Sequence, residues 1–131
     1  MNRKKLIYVS GSYSSPDKRV VEENIKNHRE AALRIWEIGY TAISPVLNTV
    51  HFEKDNLKYD DIIEGDLEIL SRCDAIFLLR GWHHSKGAGI EYEFASEHDM
   101  PIFFTFDELR KWHEVNYKFP TEDVRVPWRK R

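Results

Sequence analysis

The sequence predicts an α/β domain in which a parallel β-sheet of four to five strands carries helices on both faces. Three observations predict it. Short apolar runs alternate with segments of helical spacing from the first residues onward. Those helical segments are long enough to return the chain by right-handed crossovers, which parallel strands require. The run AIFLL from Ala75 to Leu79 shows no polar alternation, as expected of a strand covered on both sides.

Leu6 to Ser10 is the first strand, and it stops at Gly11. The loop SYSSPDK follows, rich in turn formers. The first helix is expected to begin near Asp17 to Arg19 and to end at Gly39, a residue suited to the position just past a helix. Its Val21, Ile25, Ala32 and Ile35 fall on one stripe, with His28 on the same face. Tyr40 to Ser44 reads as the second strand, stopped by Pro45, and residues 46–57 as a longer loop carrying His51 and Phe52. A second helix is expected over Tyr59 to Arg72, the third strand at Ala75 to Leu79, and a third helix from near Ala88 to His98. Pro101 to Phe106 is the fourth strand, after which Asp107 is expected to cap a short helix through Glu114. The stretch 116–131 has two prolines and little periodicity, so it reads as a tail or as an edge strand at Val124 to Val126.

A chain of 131 residues fits one domain, taken as 1–131. Its formal net charge of -2 offers no field that would draw nucleic acid or an anionic membrane. No apolar run approaches the ~18 residues of a membrane span. The basic start MNRKKLIYVSG lacks the apolar region and cleavage site of a secretory signal. Cys73 is the only cysteine, which excludes an intrachain disulfide and suits a reducing cytoplasm. Its place just before an apolar strand favours an inert, buried thiol over a nucleophile.

Parallel sheets bind ligands beyond the carboxyl ends of their strands, where strand order reverses. The loops at 11–18 and 80–87 are therefore expected to face one crevice, bringing Tyr8, Ser10, Gly11, Ser85, Gly87 and Glu91 together. Ser85, Lys86, Gly87 and Gly89 form a polar, small-residue connection into the third helix, and such a helix start presents unpaired N–H groups to an anion. Glu91 lies on one face with Gly87 and Ala95, small residues that leave room for a ligand. Its alternative reading is a first-turn carboxylate favoured by the helix dipole. Glu93 points elsewhere. Asp66 sits on or beside the apolar stripe of the second helix, where a carboxylate needs a partner or a ligand. A salt bridge to Arg72 or Arg80 would also satisfy it. Trp82 offers a flat surface for a base, or simply packs. His83 and His84 are adjacent and lack a supporting cysteine or a second histidine one turn away, so no metal is expected.

Three blocks in order, IYVSGSY at 7–13, DLEILSRCDAIFLL at 66–79 and SKGAGIEYEFA at 85–95, resemble the nucleoside 2-deoxyribosyltransferase-like superfamily. The likeness covers about residues 5 to 106 and is nearest to the small members, which include deoxynucleoside 5′-monophosphate N-hydrolases. It implies a flavodoxin-like fold, no cofactor, and cleavage of the N-glycosidic bond of a 2′-deoxynucleoside or its 5′-monophosphate, by hydrolysis or by transfer to a second base. By position, Glu91 matches the nucleophile, Asp66 the aspartate that binds the sugar hydroxyl or aids the reacting groups, and Tyr8 the tyrosine that orients the glutamate. Ser85, Gly87 and Gly89 match the loop that holds the 5′-phosphate or 5′-oxygen, with Lys86 as a cationic supplement, and Gly11 matches the glycine that admits substrate to the first strand. The segment SYSSPDKR after Gly11 replaces the glycine-rich, arginine-bearing loop of the monophosphate hydrolases. A homodimer or larger assembly is also expected, with the 80–87 loop or the 112–128 segment, bearing Trp112, Tyr117, Phe119 and Trp128, at the contact. The competing reading is a non-catalytic nucleotide-binding or sensing module built on the same pocket.

Overall fold

The structure, a computed structural model, describes residues 4–118. Strand β1, Leu6–Ser10, leads into helix α1, Lys18–Ile38, and then β2, Thr41–Ile43. A short helix α2, Pro45–Asn48, and a 3₁₀ turn at Phe52–Asp55 precede α3, Tyr59–Leu70. Strand β3, Ala75–Leu78, is joined by a 3₁₀ turn at Trp82–His84 to α4, Lys86–Glu97, and β4, Ile102–Phe103, leads to α5, Phe106–Lys118. All three strand pairings are parallel and the order is β2-β1-β3-β4. That arrangement is the flavodoxin-like, Rossmann-like sheet, with its switch point between β1 and β3. The fifth strand considered at Val124 to Val126 lies outside the described residues, as do Phe119 and Trp128.

The pleat of the strands divides the core into two. Ile7, Val9, Ala75 and Phe77 point to the face covered by α1 and α5, where Ala31, Ile35, Tyr40 and Leu109 complete a buried cluster. Tyr8, Ile76 and Leu78 point to the other face, where Leu70 of α3 and Ala95 of α4 meet them. Pairing of Tyr8 with Ile76 and of Ser10 with Leu78 keeps the two strands in register along that face. Ser10 therefore continues the direction of Tyr8, toward α4.

Local chemistry explains where the elements start. Asp17 caps α1 by accepting the Arg19 N–H at 2.9 Å. Gly39 ends it at φ +123°, a conformation that suits glycine, with its N–H on the Trp36 carbonyl at 3.1 Å. Pro45 does more than stop β2: it opens α2, because a proline at the first helical position loses no intrahelical hydrogen bond. The expected loop over 46–57 is accordingly part helix. Ser85 caps α4, accepting the Ala88 N–H at 3.1 Å, so the helix begins at Lys86, earlier than the expected Ala88. Asp107 is not the cap of α5. It lies inside the first turn, and Thr105 caps instead, its Oγ1 accepting from Glu108 N–H at 3.2 Å while Glu108 Oε1 accepts from Thr105 N–H at 2.9 Å. Among the described residues, no helix is long and apolar enough to cross a membrane.

Candidate active site

Glu91 reaches from α4 to the underside of β1. Tyr8 Oη donates to its Oε2 at 2.5 Å, and Ser10 Oγ donates to its Oε1 at 2.6 Å. Glu91 is only 6% exposed, yet it forms part of the wall of an adjoining cleft of about 680 Å³. Burial pushes its pKa up to about 7, against the opposing pull of the Ser10 and Tyr8 hydrogen bonds, and Asp66 adds to the rise. Burial, followed by the Glu91 charge, raises the Tyr8 phenol well above its ordinary value, so that hydroxyl stays protonated and remains a donor.

Asp66 faces the same cleft from α3 at 8% exposure. Burial pushes its pKa up to about 6. The salt bridges considered for it are not formed: Arg72 is held by Glu68 at 2.6 Å, and no hydrogen bond joins Asp66 to Arg80 or to any other described side chain. A buried carboxylate with space before it and no partner among the described residues is poised for a ligand's donor. The dipole explanation of Glu91 also fails on geometry. Since α4 begins at Lys86, Glu91 lies in its second turn and is fixed by side-chain hydroxyls.

The remaining residues singled out in the sequence divide into two groups. Gly11, Ser85, Lys86 and Gly87 line the cleft with Asp66 and Glu91. Tyr8 and Ser10 are not on its wall; the pleat places them beneath Glu91, where both hydroxyls donate to the carboxyl. Trp82 is stacked on Tyr92 with ring centroids 4.6 Å apart and packs on the α3/α4 core, away from the cleft wall. Gly89 likewise lies off the wall, within α4. Gly11 is explained by packing: a Cβ there would stand 2.7 Å from Leu79 Cδ1 and 2.8 Å from Leu79 Cβ. At Gly87, a Cβ would meet the Tyr59 hydroxyl at 3.3 Å, so glycine lets α3 and α4 close together at the cleft.

Helix α4 starts at the cleft edge. Ser85 satisfies the Ala88 N–H through its side chain and the Gly89 N–H through its carbonyl, while the Lys86 and Gly87 N–H groups find no acceptor among the described residues. Lys86 Nζ stands 5.7 Å from the Tyr59 ring centre, on the same side of the cleft.

Tyr59 is the residue that the sequence reading overlooked. It lines the cleft, and burial together with the Glu91 charge raises its phenol pKa. The signal was present, because Tyr59, Ile62, Ile63 and Asp66 follow helical spacing and all line the cleft. The opposite wall comes from Ser12, Tyr13, Ser14 and Ser15. That loop is tied down where Asn24 Nδ2 donates to the Tyr13 carbonyl at 2.9 Å and the His51 N–H donates to Tyr13 Oη at 2.8 Å. Beneath it, His28 is fully buried with Nδ1 2.8 Å from Ser44 Oγ, and burial pulls its pKa down to about 4, so it is neutral.

Fold and cleft together define a parallel α/β domain with a carboxylate-bearing pocket at the switch point of its sheet. Over residues 5–104 the chain matches the model of the family described as Domain of unknown function (DUF4406), and it belongs to that family. No curated protein matches the chain.

Proposed function

We propose that the protein cleaves the N-glycosidic bond of a 2′-deoxynucleoside or its 5′-monophosphate, releasing the base to water or transferring the deoxyribosyl group to another base. The observation that carries this reading is the grip of Tyr8 and Ser10 on the two oxygens of Glu91, beside a cleft that Asp66 enters with no side-chain partner among the described residues. The resemblance of the three sequence blocks to deoxyribosyltransferases supports it.

Cleavage of such a bond builds positive charge on the sugar ring. Ionised Glu91 stabilises that charge or forms an ester with the anomeric carbon; as the C–N bond breaks, its electron pair leaves with the base. The departing base takes a proton, which Asp66 in its acid form or a bound water supplies. Water or a second base then attacks the anomeric carbon and gives its proton to the Asp66 carboxylate or to solvent; where the ester has formed, its bond to the anomeric carbon breaks and restores the Glu91 carboxylate. Tyr8 and Ser10 hold the carboxyl in one orientation throughout, because neither hydroxyl is needed elsewhere. The chemistry of the walls supports this reading at both ends of such a substrate. Ile62, Ile63 and Tyr59 offer apolar surface to a planar base, while Lys86 and the free N–H groups at the start of α4 suit a 5′-phosphate.

Incubation with a panel of deoxynucleosides and their monophosphates, followed by chromatography, tests the proposal. Free base, or a new nucleoside when a second base is added, is the expected product. Tight binding of these compounds with no turnover under any condition would replace catalysis by the sensing role.

A further inference from the structure

A second cavity, of about 580 Å³, lies on the other face of the sheet, between α1 and α5 at the carboxyl ends of β3 and β4. Arginines from three separate elements line it: Arg34 from α1, Arg80 from the segment after β3, and Arg110 from α5. Like charges brought to one space repel unless solvent or an anion compensates them. Two acids share the wall, and both are engaged. Asp107 pairs with Arg110 at 2.7 Å, and Glu30 stands 3.9 Å from Lys26. Among the described residues Arg34 and Arg80 have no carboxylate partner, and Arg80 makes no hydrogen bond or ion pair.

The setting of these groups favours a particular ligand chemistry. Arg34 lies 4.0 Å over the Phe106 ring, which is itself stacked on Phe77 at 4.8 Å, so its guanidinium plane is already oriented. Guanidinium forks suit the paired oxygens of phosphate, whereas lysine would supply only a point charge. Phe104, at 45% exposure, adds an aromatic surface on the same wall. The N–H groups of Phe104 and Thr105 are taken by Glu108, so the arginines, and not the start of α5, would carry the anion.

We propose that this cavity is a second ligand site, distinct from the Glu91 cleft, that binds a multiply charged phosphate compound carrying a planar ring, with Arg34, Arg80 and Arg110 holding the phosphates and Phe104 the ring. The proposal is independent of the reaction at Glu91.

Calorimetric titration at low ionic strength with adenosine 5′-triphosphate, and separately with inorganic triphosphate, tests it. The wild-type chain is expected to bind the nucleotide saturably. Arg34→Gln/Arg80→Gln is expected to bind it roughly tenfold or more weakly, in keeping with the strength of charge-assisted contacts. Arg80→Gln alone, which removes no contact to a described residue, keeps the test valid should the double variant fold poorly, and it is expected to weaken binding in the same direction. Lys86→Ala, in the other cleft, is expected to retain the saturable nucleotide binding that the arginine variants lose. Inorganic triphosphate is expected to bind more weakly than the nucleotide, and Phe104→Ala to erase that difference. The proposal is overturned if no saturable binding occurs, if the arginine variants bind as wild type does, or if Lys86→Ala alone abolishes binding. Equal affinity for the two probes overturns the role given to the ring.

Discussion

Tyr8 and Glu91, 83 positions apart in the chain, are joined by a 2.5 Å hydrogen bond from the phenol to Oε2. Together with Ser10 on Oε1 it fixes a buried carboxyl that would otherwise rotate, and both contacts favour the ionised form that burial disfavours.

Replacing Glu91 by glutamine preserves shape while removing the charge that a cationic sugar requires. Base release is expected to fall by roughly two orders of magnitude or more, the range typical of lost electrostatic stabilisation. Substrate binding should persist in a direct titration. Glu93→Gln, an exposed position on the same helix, should be silent. Equal losses in both variants would remove Glu91 from its assigned role.

The acid limb of the kcat/KM profile should report ionisation of Glu91, whose pKa is about 7. Ser10→Ala and Tyr8→Phe each delete a hydrogen bond that lowers that pKa, so each should move the limb to higher pH. A displacement of about one pH unit corresponds to ~1.4 kcal/mol of differential interaction. A fall in rate with an unmoved limb would mean that the hydroxyls support packing alone.

Stability should carry the same signature with the opposite chemical sense. Because Glu91 titrates at about 7 in the fold against 4.5 ordinarily, the folded state binds the extra proton between those values. Its contribution is therefore least unfavourable below 4.5, and stability is lost as pH rises through 7. Glu91→Gln should melt higher than wild type in mildly alkaline buffer, with the gap closing toward acid. His28 acts in reverse: its pKa is about 4 in the fold against 6.5 ordinarily, so it costs stability as pH falls across that window. With Glu91 replaced, the slope from His28 is opposed by Asp66, whose pKa is about 6 in the fold against 3.8 ordinarily. Thermal melts across the acid range should therefore show the His28 slope in full only when Asp66→Asn is added.

Lys86→Ala should weaken deoxynucleoside monophosphates more than free nucleosides in competition assays, since the ammonium supplements the N–H groups at the start of α4. A charge-assisted hydrogen bond is worth about 1.5–3 kcal/mol. Identical losses for both ligand types would place the 5′ end of the substrate elsewhere.

Gly11→Ala should destabilise the fold by about 1–3 kcal/mol, the usual penalty for forcing a methyl group into packed surroundings. The cause is Leu79, whose Cδ1 would stand 2.7 Å from the new Cβ. Chemical denaturation would measure it, and an unchanged midpoint would show that the two strand ends part easily.

Much of this molecule follows from local pattern. Period and turn chemistry determined the order of strands and helices: Leu6 to Ser10 as β1, Asp17 and Gly39 as the ends of α1, and a parallel sheet wrapped on both faces. Glu91 and Asp66 were legible as carboxylates on otherwise small or apolar faces, which is a property of spacing alone. Helix starts were less legible, because Ser85 and Thr105 act as caps only when the residues after them turn into helix, a choice made by the chain on either side. Tertiary structure alone decided what the side chains do. The pleat and register of β1 sent Ser10 under Glu91 and away from the cleft, and stacking on Tyr92 drew Trp82 into the core. It also gathered Arg34, Arg80 and Arg110 around one cavity from three elements. Spacing constrains neighbours a few residues apart, whereas these contacts depend on how the strands align and the helices pack, which no local pattern encodes.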